Sequence, residues 1–540
     1  MRELMKRRVA IGAAAFFCMA VGFGAPAVTQ TERPPQPGPA AAPQPAPAAQ
    51  ASPRLQSQPQ PRVRLLAPEF WRAQALKDLI PYWTEHAPDP AHGAFFMNLS
   101  RDWKPLPPNE KVPALVSRHV FGFSAAYLLS GDPKYLDIAR RGAEFLFRNA
   151  WDPEFGGWFD KLTSDGRPLV ESKSISLQLY TNVGLTLYYV ASGDDRALTF
   201  VRRSVDIQRT KGHDLEAGGY VQALNRDLSV LDSGKNKHAH YGYVGSLLLN
   251  LHLATRDPEV LAWEKELANL SLARMFDQHG WIHGFRSRFD REWRRTPALV
   301  DGREVVSVGA ELTAALAFLR LFHQTGGREY LDAGRRLGGL ITRYGFDPGR
   351  GCWYDLIETA PPHRPVAQPT VWWWVQIYGS FLQLQLYHAT GDPACLDTFR
   401  KSEEFYDAHF RDRERGGVFG SVKPDGTVMG EGRKASDSDW HTSYHEMEHA
   451  LLNYLYLNLY VNGTRATLHY RLDGPRTHYV SLVDDPAVRV SGVTMDGKPW
   501  TAFDAAQRSV VVPAGKAHAV QVTFIPGVAP AVPAAGRSDN

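Results

Sequence analysis

The chain has 540 residues, 44% hydrophobic and 22% charged, with a formal net charge of +4. A chain of this length can bury a large core, and so small a charge, scattered rather than gathered into a basic stripe, leaves no footprint for nucleic acid. Its three cysteines provide neither a disulfide framework nor a zinc spacing.

Residues 1–27 read as an export signal: Arg2, Lys6, Arg7 and Arg8, an apolar run from Val9 to Gly24, then Ala25-Pro26-Ala27. The apolar run is short for a membrane span, so the expected mature protein has none and is exported, periplasmic or extracellular. Residues 28–64 are rich in Pro, Ala and Gln with almost nothing to bury, which predicts a disordered linker. Folding is expected to start at residue 65.

From there the chain repeats itself. An Asp followed within a few residues by Gly and an aromatic recurs from Asp89 to Phe95, Asp152 to Trp158, Asp214 to Tyr220, Asp277 to Trp281, Asp347 to Trp353 and Asp412 to Phe419, at spacings of roughly 62 to 70 positions. Asp accepts from turn N–H groups, Gly supplies positive φ, and the aromatic covers the turn. Between these turns, Ser130-Gly131-Asp132, Ser192-Gly193-Asp194, Thr255-Arg256-Asp257, Thr325-Gly326-Gly327 and Thr390-Gly391-Asp392 each follow an apolar segment and precede an amphipathic one. Gly after one helix and Asp at the N-cap of the next is the chemistry of a tight αα-hairpin.

Apolar spacing between these marks predicts helices over about 69–86, 113–130, 133–149, 173–192, 195–209, 239–255, 257–277, 306–325, 328–345, 371–390, 393–410 and 441–461. Alternating inner and outer, they make an all-α (α/α)6 toroid over 65–463, a cup whose floor is set by what the inner helices point inward. After Asn462-Gly463 the runs 466–470, 478–482, 488–493, 508–512 and 520–524 alternate in period two, which predicts a small all-β appendage over 464–526. Residues 527–540 read as a disordered tail.

The first turns of the inner helices face the cup, and four of them carry chemistry: Ser117-Arg118-His119, His238-Ala239-His240-Tyr241, Val308-Gly309-Ala310-Glu311, and Trp440 to His449. His441, His445, Glu448 and His449 share a helical face. His445-Glu446-Met447-Glu448-His449 matches the letters of the zincin motif, but the apolar segment from Ala450 to Tyr460 offers no third ligand. No metal and no cofactor is therefore expected.

These clusters carry a resemblance. Arg118 with Phe121-Gly122-Phe123, Gly156-Gly157-Trp158-Phe159, Lys173 with Gln178, His238-Ala239-His240, Trp373-Trp374-Val375-Gln376, and Trp440 with Tyr444-His445 together resemble the N-acylglucosamine 2-epimerase superfamily, which includes cellobiose 2-epimerases and mannose isomerases. The resemblance implies an open-chain mono- or oligosaccharide whose C2 proton is removed beside the C1 carbonyl, giving an enediolate. It implies His445 as acid/base, Arg118 on the oxyanion, His240 at the sugar and Glu311 as orienting group. Trp374 and Trp440 would stack on the ring, with Gln376, Tyr444, Gln178 and His441 binding substrate.

Three positions depart from the family pattern. Val308 stands where a second acid/base His is expected, and Tyr243 and Tyr378 replace carboxylates. They leave open a catalytically silent sugar binder, and the export signal leaves open a glycoside hydrolase or lyase using Glu311 and Glu448. The sequence leaves the oligomeric state open.

Overall fold

The computed structural model describes residues 64–527. The expected export signal, the linker up to residue 63 and the tail from residue 528 lie outside the described residues.

Among these residues twelve helical segments follow one another. The outer ones are α1 (68–86), α3 (133–150), α5 (Asp195–Lys211), α7 (Pro258–Arg274), α9 (Arg328–Gly345) and α11 (393–410). The inner ones are α2 (Pro113–Ser130), α4 (Ile175–Ser192), α6 (241–255), α8 (Val308–Thr325), α10 (Trp373–Thr390) and α12 (443–461). The inner helices are buried nearly all round, because each is packed on two sides. Their backbones come close: a Cβ on Gly184 would lie 1.8 Å from the Ser117 carbonyl oxygen, so α2 and α4 meet where only Gly fits.

The ring closes by joining its first helix to its last. Trp83 of α1 donates its indole N–H to Glu446 of α12 at 2.8 Å, and Trp71 packs on His449 at 4.8 Å. At the inner-to-outer turns, Gly131, Gly193, Gly326 and Gly391 are left-handed, and Asp132, Asp194, Asp257 and Asp392 each accept an N–H of the next helix. Arg256 takes the same left-handed conformation (φ 55°) without being Gly.

The expected starts at 173, 306 and 371 are each two residues too early. Ser174, Val306 and Val371 pair instead with Ala223, Ile357 and Val422 in short strands that rim the cup, and the helices begin just after them. The ring is thus helical with a stranded rim, not purely α. Backbone groups at an inner-helix N-terminus need partners, and the neighbouring hairpin supplies them.

Four of the six rim turns are also pinned by a buried lysine. Lys111, Lys173, Lys235 and Lys434 donate to Asp89, Asp152, Asp214 and Asp412 at 2.7, 3.0, 2.9 and 2.8 Å, all of these side chains being buried. The same Asp residues accept the turn N–H groups, so one carboxylate satisfies the turn and one ammonium satisfies the carboxylate.

Beyond the ring lie β1 (Ala466–Leu472), β2 (Arg476–Tyr479), β3 (Arg489–Met495), β4 (Lys498–Trp500), β5 (Phe503–Asp504), β6 (Ser509–Val512) and β7 (His518–Ile525). They form antiparallel sheets in the orders β1-β7-β3-β4 and β2-β6-β5. The strand expected over 478–482 ends at Tyr479, because the chain leaves the sheet there. Asp484 reaches the ring and ion-pairs with Arg320 of α8 at 2.6 Å.

Candidate active site

Side chains from six segments close a circle of ring contacts at the hairpin end of the toroid. The Arg118 guanidinium lies 4.6 Å from the ring centre of Tyr180, which meets His238 at 6.0 Å; His238 meets Phe285 at 5.9 Å. Lys237 Nζ sits 4.4 Å from Phe285 and 5.9 Å from Trp374. Trp374 stacks on His445 at 6.3 Å, His445 meets Tyr444 at 4.5 Å, and Tyr444 returns to Arg118 at 5.0 Å. Trp440 covers Arg118 at 5.1 Å and Tyr180 at 5.5 Å. Aromatic faces and edges around two cations suit the apolar faces and hydroxyls of a sugar.

Local backbone explains how some of these groups are aimed. Trp440 is left-handed (φ 58°), an outlier for a bulky residue, and its carbonyl accepts from Arg118 Nη1 at 2.8 Å. Arg118 Nε is buried with no hydrogen-bond partner in the protein. On α12, Tyr444 donates to Glu448 at 3.0 Å, and His445 Nδ1 lies 3.0 Å from the other oxygen of Glu448. His445 Nε2 has no protein partner among the described residues. Glu448, Tyr444 and Tyr378 also line a cavity of about 90 Å³ that continues along the ring axis to Arg320 and Leu482.

The electrostatics follow from burial and from two nearby cations. Burial, then Arg118, His441 and Lys237, holds His445 well below the ordinary imidazole range, so it is neutral at pH 7. Burial raises Glu448 to about 7 against the pull of Tyr444 and Arg118. Burial, reinforced by Arg118, lowers Lys237 to about 7. Three proton-carrying groups thus share one wall, two of them poised near neutrality.

Arg118, Trp374, Trp440, Tyr444 and His445 therefore meet, as expected from the sequence. The other five expected residues go elsewhere. Gln178 accepts from the Trp158 N–H at 2.8 Å, His240 Nε2 from the Tyr220 N–H at 3.3 Å, Glu311 from the Ile282 N–H at 3.0 Å, and Gln376 from the Trp353 N–H at 3.0 Å. All four are buried pins for the Gly-aromatic turns, one per repeat. His240 has no atom left for a sugar, since Nδ1 donates to the Asn236 carbonyl at 2.7 Å. His441 is buried behind the wall, 3.3 Å from Glu446 and tilted against Trp373 with ring centres 4.5 Å apart.

Glu311 is 0% exposed, so it cannot pair with Glu448 across a glycosidic bond. The zincin letters also come apart: His449 bonds Glu403 at 2.7 Å while His445 bonds Glu448. Val308 packs outward toward Gly345 of α9. Lys237, Tyr180 and Phe285 are not among the residues that the sequence singles out, and His238 stands there only in the His238–Tyr241 cluster with no role assigned. The signal for Lys237 was available, as a lone cation inside a His-rich turn that the repeating Asp–Lys pairing does not account for.

The comparisons with known proteins bear on this arrangement. Residues 93–446 match N-acylglucosamine 2-epimerase (GlcNAc 2-epimerase). The cellobiose 2-epimerase of Bacteroides fragilis is 25% identical over 383 residues, covering 68% of this chain and 93% of that protein. The human N-acylglucosamine 2-epimerase is 26% identical over 371 residues, covering 66% and 82%. The solved structure of cellobiose 2-epimerase from Spirochaeta thermophila superposes with a TM-score of 0.63 at 23% identity, covering 72% of this chain and 96% of that one. A family match over most of the ring, on a ring whose open end gathers Arg118 and His445, shows that the chain belongs to the N-acylglucosamine 2-epimerase family.

Proposed function

We propose that the cup binds the reducing end of a mono- or oligosaccharide in its open-chain form and moves the proton on C2 through an enediolate. His445 Nε2 takes that proton, because the imidazole is neutral at working pH and its Nδ1 is occupied by Glu448. The C2–H electron pair forms the C1=C2 bond, and the carbonyl electrons move onto O1. Arg118, with Nη1 spent on Trp440 and Nε unpaired, stabilises that oxyanion. The unpartnered His445 Nε2 in a circle that also holds Arg118 is the observation that carries this reading.

Val308 faces away, so a proton delivered to the opposite face needs another donor. Lys237 is that donor in this reading. It contacts Trp374 from the side of Phe285 while His445 stacks on the same indole, so a sugar seated against Trp374 is within reach of both proton carriers. Delivery of Lys237's own proton to C2, with the O1 electrons re-forming the C1 carbonyl, gives the epimer; return of the abstracted proton from His445 to C1, with the O2 hydroxyl proton passing to O1, gives the ketose. The amino-terminal pattern supports action outside the cytoplasm. Incubation with glucose, mannose, N-acetylglucosamine and cellobiose in deuterated water tests the reading. Deuterium appears at C2 of at least one sugar; its absence from all four, with folded protein, removes it.

A further inference from the structure

At the far end of the ring, away from the cup, the segment between β2 and β3 enters the space between α8, α10 and α12. Asp484 is neutralised there by Arg320 and by Gln324, which donates at 2.7 Å. Its neighbour Asp485 is held differently. One carboxylate oxygen accepts from the Ala487 N–H at 2.8 Å, and the Asp485 carbonyl accepts from Arg508 at 2.6 Å. The other carboxylate oxygen points at the ring, 3.3 Å from His388 Nε2 of α10.

His388 is one of a pair. Its imidazole stacks on that of His323 of α8, with ring centres 4.6 Å apart, and Tyr460 of α12 packs on His388 at 3.7 Å. His323 Nε2 is buried with no hydrogen-bond partner, and the buried His388 Nε2 has only the Asp485 carboxylate, at 3.3 Å. One ligand atom from each of His323, His388 and Asp485 lies within 4.8 Å of the others, and among the described residues this is the one His, Cys, Asp or Glu group with that property. A buried imidazole nitrogen left unpaired beside a second imidazole and an oriented carboxylate is costly as a packing solution. The three are an ordinary donor set for a divalent metal.

We infer that His323, His388 and Asp485 bind one first-row divalent cation of the zinc class, which ties the ends of α8 and α10 to the carboxy-terminal strands. Two imidazoles and one carboxylate, with a water completing the set, suit a borderline cation such as Zn2+ over Mg2+ or Ca2+, which prefer oxygen. Bond lengths of about 2.0 to 2.2 Å put neighbouring donors in a tetrahedral site roughly 3.4 Å apart. The His388–Asp485 pair already stands at 3.3 Å, and the His323 ligand atom lies within 4.8 Å of both. The Ala487 N–H on the second Asp485 oxygen is the outer contact that fixes a carboxylate ligand. The ion is remote from the cup and acts on no substrate.

The test uses untagged full-length protein, stripped with a chelator and then titrated with Zn2+ alone. Equilibrium dialysis with elemental analysis should find one tightly held Zn2+ per chain. Co2+ in its place should give the visible bands of a four-coordinate site. His388→Gln and Asp485→Asn should each weaken binding at least tenfold and abolish those bands. Thermal melts should show a rise in Tm with Zn2+ in the parent and little in either variant. Failure of the folded parent to hold stoichiometric Zn2+ overturns the site, as does parent-like binding by Asp485→Asn, which keeps both imidazoles. Sugar turnover does not enter the readout, so the result stands apart from the fate of the proposed function.

Discussion

His445 Nδ1 lies 3.0 Å from a Glu448 oxygen one turn further along α12, and the same carboxylate accepts the Tyr444 hydroxyl. Three residues within five positions thereby fix one imidazole ring, its tautomer and the direction of its free Nε2. A carboxylate that orients a histidine in this way also stabilises the imidazolium formed when the base is used. Glu448 acts through His445 and is a positioning residue in the proposed chemistry.

His445→Asn should therefore lower deuterium incorporation at C2 by roughly 100- to 10,000-fold, the usual worth of a positioned base. Glu448→Gln should keep the geometry and lose roughly tenfold or more in kcat. Proton NMR of the sugar in deuterated water, with circular dichroism to confirm folding, measures both. Exchange undiminished in His445→Asn would remove this residue from the reaction.

Lys237→Met separates exchange from inversion. The variant should still exchange the C2 proton through His445, while formation of the C2 epimer falls by roughly 100-fold. Chromatography of the sugars alongside the NMR gives the two rates. Equal loss of both would assign Lys237 to binding rather than to proton delivery.

The pH dependence has a definite sign. Glu448 is raised to about 7, so the ionised form that supports His445 grows in as pH rises through neutrality. Lys237 is lowered to about 7, so the ammonium that delivers the second proton is lost over the same range. Epimer formation should peak close to neutrality and fall on both sides. Glu448→Gln should flatten the acid limb and Lys237→Met the alkaline limb, in profiles of kcat/KM against pH.

The rim pairs predict acid sensitivity. Burial pushes Asp89 up, but hydrogen bonds from Lys111 and Asn109 outweigh it and hold the carboxyl at about 2. A carboxyl depressed in the folded state contributes stability above its unfolded value near 4 and loses that contribution as pH falls toward 2. Asp214 and Asp412 are held below the usual range as well, by Arg291 and Lys235 and by Arg101 and Lys434. Tm should fall steeply between about pH 4 and 2. Lys111→Met, which leaves Asp89 buried without its ammonium, should cost about 3 kcal/mol at neutral pH, read by urea unfolding.

Gly131 closes the first αα-turn with φ +72°, and a Cβ there would come within 2.8 Å of His469 Nδ1 on β1. Gly131→Ala should destabilise by about 1 to 2 kcal/mol through the left-handed backbone alone, with a further loss from displacing His469. Gly326 has the same conformation and open space around it, so Gly326→Ala should show the backbone cost alone. Differential scanning calorimetry of the two variants separates the two terms.

The repeat was legible in the chain because everything that sets it is local. Asp132, Asp194, Asp257 and Asp392 cap helices two residues away, and Gly131, Gly193 and Gly391 end helices by their own backbone freedom. The apolar period placed the twelve helices for the same reason. The site was legible only in part, because the start of an inner helix faces two ways. One side meets the cup and the other meets the hairpin, and both want polar groups. Gln178, His240, Glu311 and Gln376 have the chemistry of ligands, yet they satisfy turn N–H groups that become their neighbours only when the next repeat folds against them. The partners are 20 to 29 residues away in the chain, and helical periodicity does not reveal which side each faces. The trio His323, His388 and Asp485 belongs wholly to the tertiary structure, and Lys237 stands out in the sequence only as a lone cation whose place the fold decides. Their significance comes from groups brought together across the ring, and from the solvent that packing removes around them.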